Sequence, residues 1–213
     1  MKTLFAVALS LATSDSAFAG LFASSSLSEK DAASIHKIAV ISALGNTLHL
    51  DNIGLTVFQN KVAEVLVPEW KVDDHLSARV LDLLRADQRF SFEVLNLPPG
   101  TQLMNLDGPR TALRPVGRRQ LIDQGRLQSV DAVLLIEVSG NPNGPTISPG
   151  FGLYNQRALG YEQVLICTAI ALALFRVDGN KLLALQSPDP LTRIPARVES
   201  SLRAMKFSVS AQN

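Results

Sequence analysis

Three histidines, His36, His49 and His75, are the side chains of this sequence best suited to proton transfer or metal binding near neutral pH. A zinc site would hold them at ligand spacing, i and i+4 on a helix or flanking a turn. Here they stand thirteen and twenty-six residues apart on different elements, so no metal or cofactor is implied. The stretch "WKVDDH" offers Asp73, Asp74 and His75 together, and with an arginine cluster as anion holder it would suit a hydrolase if His49 came close. The plainer reading makes Asp73 a helix cap and His75 an exposed residue of the first turn. No G-x-S-x-G and no P-loop occurs, and "GFGLYN" lacks the third glycine and following helix of a dinucleotide site. Binding is therefore the preferred expectation over catalysis.

Two segments are candidates for binding. Arg110, Arg114, Arg118 and Arg119, followed by Arg126, form a basic cluster able to hold phosphate or carboxylate groups through bidentate hydrogen bonds. Pro115 and Gly117 interrupt it, and such runs are commonly solvated helix faces. The Pro/Gly/Asn-rich stretch from Gly140 to Gly160 reads as a long loop, with Phe151, Leu153 and Tyr154 as apolar anchors for a partner. The lone Cys167 cannot form an intramolecular disulfide, and it reads as a small core hydrophobe.

The elements that would position these residues are legible from periodicity. "VLICTAIALALF", Val164 to Phe175, covers only ~18 Å as a helix, short of the ~30 Å core of a bilayer. The Asp178-Gly179 pair behind it signals a hairpin, so the stretch to Leu185 reads as two antiparallel strands. The first is apolar on both faces and is expected at the centre of a sheet. Upstream, Ile35 to Phe58 reads as a strand followed by a small antiparallel meander. Val72, Leu76, Val80, Leu83 and Leu84 recur at helical spacing. "FSFEVLNL" is a strand, Arg114 to Ser129 holds a second helix with Val116, Leu121, Ile122 and Leu127 inward, and "VDAVLLIEVSG" is a buried strand. "IPARVESSLRAMKF" forms a last amphipathic helix.

The N-terminus, "MKTLFAVALSLATSDSAFAG", has Lys2 before a short apolar run and a small-x-small site, Ala17-Phe18-Ala19. It is expected to be a signal peptide over residues 1–19, which places the mature chain in the periplasm or outside the cell. No Cys follows the cut, so a lipid anchor of the bacterial lipoprotein type is not expected. Losing Lys2 and Asp15 leaves the net charge at +1, which gives no support for nucleic-acid binding. With residues 20–34 as a flexible leader or one short helix, residues 35–213 are expected to form one α/β domain. Its mixed sheet has about five or more strands, helices packed on it and a long C-terminal β-hairpin.

In "HKIAVISALG", the helix from Val72, "SVDAVLLIEVSG" and the long hairpin, the order over Ile35 to Gln186 resembles two envelope families. One is the N-terminal domain of the Tol-Pal system's periplasmic propeller protein, the other the core of curli-secretion-type lipoproteins. That resemblance implies an envelope scaffold or assembly factor with a protein partner, and it carries over no functional residue. The missing anchor Cys departs from the lipoproteins, and no transmembrane hairpin of the curli pore type is evident.

Overall fold

A computed structural model describes residues 27–54, 58, 60–85, 88–97, 103, 113, 115–123, 125–138, 148, 150–158, 161–186 and 191–193. The expected signal peptide, Arg110, Arg114 and the expected last helix lie outside the described residues. In chain order the elements are α1 (Glu29–Ala33), β1 (Lys37–Ala43), β2 (Thr47–Ile53), β3 (Lys61–Leu66), α2 (Val72–Leu84), β4 (Ser91–Val94), α3 (Pro115–Asp123), β5 (Ala132–Val138), β6 (Gly150–Ala158), β7 (Tyr161–Arg176), β8 (Lys181–Gln186) and β9 (Leu191–Arg193). Of the leader, residues 29–33 are helical: Ser28 Oγ accepts from Asp31 N, and Arg176 binds Asp31 at 2.8 Å.

The nine strands form one mixed sheet of an α/β domain. β1 lies between β4 and β5, parallel to both. The connection through α2 leads from β1 to β4, and the one through α3 leads from β4 back past β1 to β5. Right-handed crossovers that travel in opposite directions must use opposite faces of the sheet. The packing agrees. Val72, Leu76, Val80 and Leu84 of α2 share a core with Ile38, Val40, Leu134 and Leu172. Leu121 of α3 shares another with Ala39, Ile41, Leu135 and Phe175. Ile122, expected inward, is 41 % exposed because only one side of this short helix meets the sheet.

β7 is central as expected, and its residues from Val164 to Phe175 are all buried. The turn into β8 uses Gly179 at φ 73 and Asn180 at φ 49, conformations that Gly and Asn adopt most readily. Leu172 faces Gln186 and Cys167 faces Leu191, five residues further on each side, so β8 and β9 follow the same edge of β7. β5 and β6 therefore share its other edge, with Val138 opposite Ile170 and Gly150 opposite Ala169. The same displacement carries β1 on into β2, which pairs parallel with β6. The expected small meander is thus a hairpin, β2–β3, joined to the body of the sheet through β6.

Residues 150–158 are the main correction. The stretch that reads as loop is strand β6, paired along its length with β2 and β7. Gly150 takes φ 97, and Gly152 is there for close packing. A Cβ on Gly152 would collide with the carbonyl oxygen of His49 across the ladder.

Candidate interaction surface

β1 and β5 are adjacent and parallel, so their carboxyl ends lie side by side. In this chain both strands run on, and a second half of the sheet, here termed the wing, grows from that position. It comprises β2, β3, β6 and the first half of β7.

Its base is tied to the body by Asp73. The expected cap role is not what this residue does: Lys71, at φ 45, occupies the cap position and no side chain caps α2. Asp73 instead crosses to the β1–β2 junction. Its Oδ1 accepts from Ser42 Oγ at 2.7 Å and Leu44 N at 2.8 Å, and its Oδ2 accepts from Gly45 N at 3.1 Å. Three donors converge where the chain bends at Gly45, φ 78, and a carboxylate satisfies all of them. Val67 N donates to Asn46 O at 2.8 Å and closes the base of the hairpin.

One face of the wing holds a polar group of residues. His49 lies across from Glu64 of β3, with Nδ1 and Oε1 3.6 Å apart. Asp51, buried, accepts from Ser148 N at 2.6 Å and Ser148 Oγ at 2.8 Å, which fixes the chain just before β6. Next to it, burial and then the Asp51 charge push the Tyr154 hydroxyl up from its ordinary value. Burial, reinforced by Asp51, pushes the Cys167 thiol up to about 12. A thiol held protonated this firmly is no nucleophile at neutral pH, in keeping with the core reading. Among the described residues no three His, Cys, Asp or Glu side chains gather as a metal site.

The residues of the hydrolase alternative are dispersed. Asp73 sits on the α2 side of the sheet and Arg118 on the α3 side. His75 is exposed, His36 lies at the opposite end beside Asp131, and His49 belongs to the wing. Of the basic cluster, Arg118 is half-buried, Arg119 is exposed, and Arg126 donates to the Asn96 carbonyl at 3.0 Å. Phe151 and Tyr154 are buried on opposite faces of β6, and Leu153 is half-buried.

What the wing does present is β3. Val62 is 60 % and Leu66 75 % exposed, and Phe58, in the hairpin connection, is 95 % exposed. Sequence reasoning missed all three. "KVAEVL" does not alternate: five of its six residues are exposed and only Val65 packs against the core, so no amphipathic pattern marks it.

No family model matches the chain, and no curated protein matches it. Among solved structures it is similar to the crystal structure of a lipoprotein from Neisseria meningitidis. Identity is 12 %, the match covers 84 % of this chain and 99 % of that one, and the TM-score is 0.32. A likeness at this level carries no argument about fold or function, and it names no Tol-Pal propeller protein.

Proposed function

We propose that this is an exported, non-catalytic binding protein of the bacterial envelope, acting in its biogenesis or homeostasis, and that the wing is its contact surface. The observation that carries the reading is the exposure of Phe58, Val62 and Leu66 on a hairpin built out from the carboxyl ends of the parallel strands. Scattered single apolar residues are ordinary on a protein surface, and three on one outlying hairpin favour a contact there. The carboxylates argue in the same direction. Asp51, Asp73, Asp131 and Glu137 each accept from backbone N–H groups of another segment, so their charge is spent on holding the fold. The N-terminal signal-peptide pattern supports export.

The test is the double variant Val62→Thr, Leu66→Thr, which keeps β propensity and removes apolar surface. Retention of envelope partners after crosslinking should fall while the urea midpoint stays unchanged. Unaltered retention would place the contact elsewhere on the molecule.

A further inference from the structure

The reading of the wing as a contact surface leaves open how a partner is recognised, and the edges of the sheet differ in a way that bears on it. Among the described residues three outer edges are free of a pairing strand: β3, β4 and the β8–β9 edge. An unpaired edge is a template for another chain, and proteins ordinarily blunt it by shortness, bulges, proline or charge. β4 has four residues, and its Glu93 is held by Lys37 at 2.7 Å. β8 is interrupted by a register shift opposite Leu174 and Phe175. β3 carries charge at Lys61 and Glu64, but it is neither as short as β4 nor interrupted like β8. Its pairing with β2 runs without a shift from Thr47 opposite Leu66 to Asn52 opposite Lys61, it contains no proline, and five of its six residues are exposed.

We infer that the outer edge of β3 accepts an extended segment of a partner protein as an added antiparallel strand. This rests on the binding reading above and names the chemistry of the partner. Val62, Glu64 and Leu66 project from one face, and the Glu64 side chain is 66 % exposed between the two apolar ones. Residues directly opposite one another in an antiparallel pair share a face and interact. The complementary strand therefore carries a Lys or Arg opposite Glu64 and apolar residues two positions to either side. Main-chain hydrogen bonds supply the attachment, and this alternation supplies the selectivity. A second copy of β3 does not meet the requirement. A symmetric pairing that set Val62 against Leu66 would bring the two Glu64 carboxylates together.

The probe is a blocked heptapeptide, Thr-Val-Thr-Lys-Thr-Val-Thr, titrated into the isotope-labelled full chain and followed by backbone amide shifts. Shifts should concentrate in Lys61 to Leu66. A peptide with Glu at the centre should bind about two- to fivefold more weakly, the range expected of one cross-strand charge pair. In Glu64→Lys that preference should reverse. Methylating alternate amide nitrogens should abolish binding in one of the two phases, since it removes the donors that meet the edge. Absence of shifts in β3, or binding indifferent to both methylation phases or to the charge reversal, overturns the inference. Shifts in the same amides produced by phosphatidylglycerol vesicles and not by peptide would assign the edge to a lipid surface and overturn it as well. If the peptide fails while Val62→Thr, Leu66→Thr still releases envelope partners, edge recognition falls and the binding reading stands.

Discussion

Two phenylalanines separate the role of strand β6 from that of the hairpin connection. Phe151 is 3 % exposed and packs into the core cluster beneath α2, whereas Phe58 is 95 % exposed. Truncating Phe151 to Ala removes roughly 2–3 kcal/mol of transfer free energy and leaves a cavity, together about 3–5 kcal/mol. For a domain of this size the urea slope is roughly 2–3 kcal/mol per molar, so the midpoint should fall by about 1–2.5 M. Phe58→Ala should change stability by less than about 0.5 kcal/mol, the ordinary range for exposed positions. Trp70 is the only tryptophan and packs against the same cluster, so its fluorescence reports the transition directly. Equal midpoints for the two variants would mean that residues 150–158 are not a paired strand, and the wing would lose its attachment to the sheet.

Further predictions follow from the carboxylates, the thiol and the small-residue face. Asp73→Ala leaves the N–H groups of Leu44 and Gly45 without their acceptor and should cost about 1–3 kcal/mol in the same titration, while Ser42→Ala, which removes one donor, should cost less. Cys167 should resist thiol reagents in the native protein at pH 8 and react on unfolding, so fast native labelling would contradict its burial. Burial pushes the Asp131 carboxyl up, but the N–H groups of His36 and Lys37 outweigh it and hold the group below its ordinary 3.8. Its folded form thus binds a proton less tightly than the unfolded one, and its contribution, complete above that value, is lost as pH falls through the lowered one. The stability gap between wild type and Asp131→Asn should therefore narrow below about pH 4, and a constant gap would rule out this linkage. Ala171→Leu should destabilise by about 1–3 kcal/mol, because Ala171 is fully buried opposite Glu137.

The α/β body was legible because its elements are long, covered and strongly periodic. Val72 to Leu84 repeats every three or four residues because one side meets the sheet, and Ala132 to Val138 is apolar on both faces because helices cover both. The wing was not legible in the same way. β6 carries Gly150, Gly152 and Asn155, residues that ordinarily mark loops, and here Gly152 admits His49 of the neighbouring strand. Asp73 sits where a cap is expected, yet its partners lie 28 to 31 residues earlier in the chain, a contact no local pattern encodes. β3 failed for the opposite reason: a strand covered only at Val65 imprints no periodicity on its residues.

The central claim is that the wing, not the body, meets the partner. A photo-reactive amino acid placed singly at Phe58, Val62, Leu66 and, as a control on α3, Ile122 tests this in intact cells. All four side chains are exposed, so differences in accessibility do not decide the outcome. The account predicts a discrete crosslinked partner from the three wing positions and none from Ile122. Crosslinking from Ile122 alone, or from no position on the wing, would contradict it.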